Sequence, residues 1–272
     1  MRGWSFALGC PNLDRMTMNS FHKSVLVTGA GQRLGLAIAE RLAGAGHTVI
    51  LHASSSIAQA ESVAARLRDQ GAKAFAVHAD LLVEADVASL IARASSLAGA
   101  PIAGLVNNAS IFEGDEAADF TRQSWDRHFD VHVRVPCELA RNMAAALPEG
   151  QIGSIVNLID QRIFKLTPQF FTYTLSKAAL ATATHTLAQA LAPHVRVNGV
   201  APGPTARNIR QSEEDFQKQV DATLLGTGSP MPSVVDAVCF LLNAEAITGQ
   251  IMAVDGGQSL IWRTPDVDGI NE

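Results

Sequence analysis

From Lys23 onward the chain alternates short runs of β-branched and aliphatic residues with longer stretches of helical character, and this alternation constrains the fold more than any other feature. Strand–helix–strand units of this kind lay consecutive strands parallel in one sheet, with the helices crossing its faces. Strands are expected at Ser24–Val27, Thr48–Leu51, Ala74–Val77, Gly104–Val106, Ser154–Leu158, Val195–Gly199 and Ile251–Val254. Their nearly unbroken apolar character suits strands covered on both sides. Helices are expected near Leu34–Ala43, Ala58–Gln70, Glu84–Leu97, Ser124–Ala146, Tyr173–Leu191 and Ser233–Leu242. Between Pro202 and Pro232 the pattern dissolves into a polar stretch rich in Gln, Glu, Asp, Gly and Pro, too long for an ordinary connection. Residues 203–232 therefore read as a lid.

The reading is a single-domain α/β protein, a Rossmann-like doubly wound parallel sheet of the seven strands named, with helices on both faces. A chain of 272 residues holds one such domain, at residues 23–262. Residues 1–22 are expected to be a disordered extension and residues 263–272 a tail. The short apolar run Trp4–Cys10 after Arg2 faintly resembles a signal sequence, but only one basic residue precedes it, and Met16 or Met18 offers an alternative start.

Charge and cysteine usage narrow the function. A net charge of -5 without clustered Lys or Arg excludes a nucleic-acid surface and leaves a small-molecule substrate. Cys10, Cys137 and Cys239 form no CxxC pair, so neither a disulfide framework nor a metal site is expected. No apolar run approaches the ~20 residues that span a bilayer, and the expected location is the cytoplasm.

The run Val25-Leu26-Val27-Thr28-Gly29-Ala30-Gly31-Gln32-Arg33-Leu34-Gly35 leaves the first strand and opens the first helix. Its backbone N–H groups can hold a pyrophosphate at the helix N-terminus, where glycine permits close approach. After the second strand comes Leu51-His52-Ala53-Ser54-Ser55-Ser56, without the carboxylate that would bind the ribose 2′-hydroxyl of NAD. Three hydroxyls, with Arg33 nearby, can receive a 2′-phosphate instead, so NADP is the expected cofactor. The serines also read simply as a polar turn. Asp80, after the third strand, reads either as a partner for adenine or as a helix cap.

Tyr173 is the sole tyrosine, and Lys177 lies four residues later on the same helical face. An ammonium beside a phenol lowers its pKa from about 10 towards the range of a working general acid. A chance Tyr-x-x-x-Lys is a common surface pair, and its position after the fifth strand gives it weight.

Taken with Thr28-Gly29 and Gly35, Asn107-Asn108-Ala109, Pro202-Gly203 and Val254-Asp255-Gly256-Gly257, this pair resembles the short-chain dehydrogenase/reductase family over Lys23–Leu260. The resemblance implies a cofactor site of Thr28, Gly29, Gln32, Arg33, Leu34, Gly35, His52, Ser54, Ser55, Asp80, Leu81, Asn108, Ala109, Ser110, Tyr173, Lys177, Pro202, Gly203 and Thr205. Small apolar residues on the helices Ser124–Ala146 and Tyr173–Leu191 fit close packing in a homotetramer or dimer, and the resemblance implies the homotetramer.

Within the family the chain resembles most the pteridine and dihydromonapterin reductases. Arg33 gives the TGxxxRxG variant, and Asn107-Asn108-Ala109-Ser110-Ile111-Phe112 is similar to their NNASxF segment, in which the serine contacts the pterin and the phenylalanine stacks on it. Asp160 stands thirteen residues before Tyr173, where ordinary members carry serine. A serine hydroxyl can donate to a ketone oxygen, whereas a carboxylate only accepts and suits an N-rich heterocycle. The implied substrate contacts are Arg33, Ser110, Phe112, Asp160 and Tyr173, and the implied catalytic set is Asp160, Tyr173, Lys177 and His132. His132 occupies the family's usual relay asparagine position, four residues before Pro136, and reads equally as a proton relay or as a core histidine. Arg207 and Arg210 could meet an acidic substrate group or lie in solvent. The expected activity is NADPH-dependent hydride transfer to a pteridine C=N bond. The alternatives are a ketone or quinone reductase and a catalytically impaired NADP-binding regulator.

Overall fold

The structure, a computed structural model, describes residues 23–207 and 211–264. Seven parallel strands form one sheet in the order β3-β2-β1-β4-β5-β6-β7. They are β1 (Ser24–Val27), β2 (Thr48–Ala53), β3 (Ala74–His78), β4 (Ile102–Asn107), β5 (Gly153–Leu158), β6 (Val195–Pro202) and β7 (Ile251–Val254). Every adjacent pair is parallel, with β1 between β2 and β4, so strand order reverses at β1/β4. In a sheet of this kind, the crevice beyond the carboxyl ends at that reversal is where ligands bind.

Both faces are covered, as the apolar strand runs require. Side chains of α1 (Arg33–Gly44), α2 (Ile57–Asp69) and α8 (Met231–Asn243) build one core against the sheet. Those of α3 (Glu84–Ala98), α5 (Val135–Ala146) and α6 (Phe171–Leu191) build the other. The doubly wound single sheet read from the sequence is the one observed. Five of the strands, β2 to β6, run further than the apolar runs alone indicated, while β1 and β7 keep the expected bounds. The sixth continues to Pro202 because Val200 and Ala201 pair with Met252 and Ala253.

Two expectations are corrected. The helix read as Ser124–Ala146 is broken: α4 (Arg122–Phe129) passes into a π-helical turn at Asp130–Arg134 before α5 begins. Pro136 has no N–H for the His132 carbonyl, and the ladder widens here, with the Val135 N–H reaching back to Asp130. The break turns His132 into the protein interior, where it is buried. The long polar stretch is not structureless either. It carries α7 (Glu213–Asp221), capped by Ser212 through the Asp215 N–H and bearing Glu213, Glu214 and Asp215 in its first turn. Residues 1–22, Arg210 and most of the expected C-terminal tail lie outside the described residues. No helix among the described residues is long and apolar enough to cross a membrane.

Candidate active site

Beyond the carboxyl ends of β1 and β4 lies a cleft of about 730 Å³. Its first wall is largely backbone. The chain leaves β1 through Gly29, at φ +64°, and a Cβ on Gly35 would stand 2.3 Å from the Gly29 carbonyl oxygen. Only glycine permits that contact. The first turn of α1 carries no acidic residue, and Gln32 caps it with no side-chain hydrogen bond, so its amides face the cleft free of side-chain competition. Arg33 follows at φ 54°, in the left-handed region that favours glycine, and its Nη2 donates to the carbonyls of Ala206 and Arg207 at 3.2 Å each. Its guanidinium thus ties the phosphate loop to the segment after β6.

Several expected cofactor residues shape this wall rather than face it with free groups. Thr28 Oγ1 receives the N–H groups of Asn108 and Ala109 at 3.0 Å, and Asn108 Nδ2 donates to the Thr28 and Gly29 carbonyls. His52 accepts from the Gly29 N–H through Nδ1 and meets the Ala79 carbonyl through Nε2, at 3.2 and 3.1 Å. Burial, the first cause, lowers its pKa to about 4. Both nitrogens are thereby committed within the protein. Asp80 is not the cap of α3: Val83 stands at that position, and Asp80 Oδ1 accepts instead from the Leu82 N–H at 3.0 Å. Gln32, Leu34, Ser54, Ser55 and Leu81 also line the cleft, as do Gly203 and Thr205 from the segment after β6. Thr28, His132 and Lys177 are buried, and Pro202 ends β6.

The opposite wall is made of side chains. Asp160 leaves β5 and caps a short 3-10 turn, accepting from the Arg162 N–H at 2.8 Å. Tyr173, in the first turn of α6, donates its hydroxyl to Asp160 Oδ2 at 2.9 Å. Lys177, one turn on and buried, donates to the Leu158 carbonyl at 2.8 Å, its Nζ 5.7 Å from the Tyr173 ring centre. The net direction for the phenol is opposite to the lowering expected beside Lys177. Burial first, then the charge of Asp160 and the hydrogen bond to it, hold Tyr173 well above the ordinary phenol value. Burial also lowers Lys177 to about 8, against an opposing pull from Asp160. The dyad is a neutral phenol donating to a carboxylate, backed by an ammonium.

His132 is buried and hydrogen-bonded at both ring nitrogens. Its Nε2 meets Ser110 Oγ at 2.9 Å and accepts from the Ile111 N–H at 3.1 Å, while Nδ1 meets Ser176 Oγ at 2.8 Å. Because Nε2 accepts a backbone N–H, the ring is neutral with its proton on Nδ1. Burial, with Lys177 and His128 nearby, keeps its pKa well below 6.5. Both nitrogens bind the loop after β4 to α6, through the hydroxyls of Ser110 and Ser176 and the Ile111 N–H.

Phe112 stacks on Phe170 with centres 4.3 Å apart and meets the edge of Tyr173 at 4.8 Å. The Arg162 guanidinium lies over both phenylalanines, at 5.5 and 5.2 Å. Arg162, Phe170 and, from α7, Phe216 and Gln219 are cleft residues the sequence reading missed. Arg162 could have been found by its place two residues after Asp160; the others carry no motif. Also missed was Asp115, which receives the Thr172 hydroxyl, the Thr172 N–H at 3.0 Å and the Ser124 hydroxyl at 3.1 Å, pinning the start of α6. Arg207 is exposed and engages Gln211 and Glu213. Among the described residues no group of three or more His, Cys, Asp or Glu side chains is placed to hold a metal ion.

A family model described as short chain dehydrogenase matches residues 23–218. L-xylulose reductase of Caenorhabditis elegans is 34% identical over 245 residues, covering 87% of this chain and 96% of that protein. The NADPH-dependent aldehyde reductase-like protein of Arabidopsis thaliana chloroplasts is 31% identical, covering 85% of this chain and 92% of that one. Among solved structures, FolM alternative dihydrofolate reductase 1 from Brucella canis, complexed with NADP, is 49% identical with a TM-score of 0.87, covering 90% of this chain and 97% of that one.

Proposed function

This chain belongs to the short-chain dehydrogenase family, and we propose that within it the protein is an NADPH-dependent reductase of a pteridine C=N bond. At the coarser level it is a nicotinamide-dependent oxidoreductase. The cofactor is NADP, which fits the cradle of Gly29, Gly35 and the first turn of α1; Ser54 and Ser55 line the same cleft and would receive the 2′-phosphate, in a run, residues 51–56, that carries no carboxylate. NADPH supplies hydride when bound.

The observation that carries the reading is the carboxylate of Asp160 on the hydroxyl of Tyr173, next to the Phe112 ring. A ketone reductase needs a donor at that place, because charge develops on an oxygen; an anion there would oppose it. A pterin offers ring and amino N–H groups to the carboxylate and an imine nitrogen to the phenol. Tyr173, kept protonated by its surroundings, gives its proton to that nitrogen. Lys177 holds its charge behind the phenol, and Phe112 provides a flat apolar face for the ring. The similarity to a FolM alternative dihydrofolate reductase supports this reading, while the aldehyde and xylulose reductases among the relatives support a carbonyl substrate. Exposed Leu175, Phe240, Leu260 and Trp262 support self-association into the homotetramer.

NADPH oxidation measured against dihydropterins and simple ketones, with wild type and Asp160→Ser, separates the readings. We expect dihydropterin turnover in the wild type and a loss of about 10- to 100-fold in kcat/KM in the variant. Ketone turnover alone, or dihydropterin turnover undiminished in Asp160→Ser, would overturn the proposal.

A further inference from the structure

Giving up a proton leaves Tyr173 as a phenolate 2.9 Å from a carboxylate, an arrangement of two anions that sets the buried phenol against a half-buried Asp160. As the Oη–H bond breaks and the new N–H forms on the substrate, hydride reaches the neighbouring carbon and the phenolate remains until solvent returns a proton. Like charges at that separation strongly oppose each other's ionisation. Family members with serine in place of aspartate never meet the problem, so an enzyme using Asp160 needs a further cation.

We propose that Arg162 is a positioning residue for proton transfer, its guanidinium serving as the counter-charge that lets Tyr173 ionise beside Asp160. The geometry is specific to that task. Arg162 Nη1 reaches both oxygens of Asp160 at 3.4 Å, and the Arg162 backbone N–H caps the same carboxylate at 2.8 Å. The two residues share one 3-10 turn, so the cation travels with the anion it offsets. The stacked rings of Phe112 and Phe170 hold the guanidinium from its other side. Its Nε is buried without a hydrogen-bond partner, so the head is fixed by the carboxylate and the rings rather than by a scaffold of its own. Arg162 pulls the phenol pKa down, opposing Asp160. The other groups facing Tyr173 are Lys177 on its own helix, the neutral His132 and His128 edge-on from the π turn and α4, and the Ser110 hydroxyl from the loop after β4. Of these only Lys177 carries charge, and it stands behind the ring.

The proposal rests on the reductase reading for its purpose, but its test does not. Tyr173 is the sole tyrosine, so replacing tyrosine by difluorotyrosine throughout the full chain labels this phenol alone and brings its ionisation into an accessible pH range. Fluorine NMR then reads its midpoint. Arg162→Gln should raise the midpoint by about one pH unit, and Arg162→Lys by less than half as much. Arg162→Met carries the same expectation should Arg162→Gln not fold by circular dichroism. In turnover with NADPH and a dihydropterin, the glutamine variant should lose about tenfold in kcat with the KM for NADPH unchanged. A midpoint equal to or below that of the wild type would overturn the proposal. A raised midpoint with no dihydropterin turnover in any variant would overturn the substrate reading while leaving the counter-charge standing.

Discussion

On the α1 side of the cleft the contacts are made by peptide groups and by the absence of side chains: Gly29, Gly35 and the first amides of α1. On the facing side they are made by what the side chains carry: Asp160 on Tyr173, Arg162 over Phe112 and Phe170. On the proposed reading the first wall holds the cofactor pyrophosphate, for which backbone amides suffice because that group does not vary with the substrate. On the same reading the second selects a substrate, and exchangeable side chains can be retuned one at a time. Damage to the first should therefore appear as lost binding, and damage to the second as lost chemistry.

The largest effect that contrast predicts is from Tyr173→Phe. Removing a positioned general acid costs ~10²–10⁴-fold in rate, so kcat should fall by that factor while NADPH affinity, read by nicotinamide fluorescence, stays within about twofold. The packing of the ring against Phe112 and the two histidines survives the change. Loss of NADPH binding in this variant would break the division between the walls.

Gly35→Ala should do the reverse at smaller scale. The added Cβ would meet the Gly29 carbonyl oxygen at 2.3 Å and Asn108 Nδ2 at 2.5 Å, and neither is a free end that can swing aside. Overpacking of this sort costs about 1–3 kcal/mol, and the loop must open to accept it. NADPH affinity should drop by about tenfold or more, with kcat at saturating cofactor changed far less. Calorimetric titration and steady-state kinetics on the same preparation check both halves. An unchanged Kd would mean that the cradle does not depend on this contact.

The same contrast decides what could be read from the sequence. The glycine loop, the strands and the Tyr173–Lys177 spacing were legible because each follows from local rules: φ > 0, apolar runs, helical period. The Asp160–Tyr173 contact was legible as a spacing, since strand, turn and helix bring those positions together. The phenol's pKa was not. Its sign depends on how deeply Tyr173 lies and on the carboxylate touching it, neither of which the spacing of Lys177 reveals. The π turn escaped because the pattern over Ser124–Ala146 reads as one continuous helix, although Pro136 in its interior removes a ladder N–H and marks the break. Helix α7 escaped for a different reason: it buries no residue, so no apolar stripe marks it, and only Ser212 and the acids after it signal a start.

One device is common to both walls, and it gives the smallest prediction. Each is braced by a buried histidine that must stay neutral: His52 holds the Gly29 N–H, and His132 holds the Ile111 N–H. For His52 the folded pKa is about 4 against 6.5 for a free imidazole. A group whose pKa is depressed on folding contributes stability that is complete above the unfolded value and is lost as pH falls toward the folded one. The unfolded chain then takes up a proton that the native state refuses. For a site with these two values, the loss between pH 7 and pH 5 comes to about 2 kcal/mol. His132 shifts in the same direction and adds to the decline. Urea denaturation of wild type and His52→Asn at the two pH values isolates the first wall's share. The variant should be less stable at pH 7, because the Gly29 N–H loses its acceptor, yet it should lose about 2 kcal/mol less on acidification. His132→Asn should flatten the same limb with a smaller effect on NADPH binding than His52→Asn, since its bonds go to Ser110, Ile111 and Ser176 and none reaches Gly29 or α1. Equal acid losses in wild type and His52→Asn would mean that the imidazole accepts a proton in place, and the account of the first wall as a neutral, backbone-defined cradle would fail.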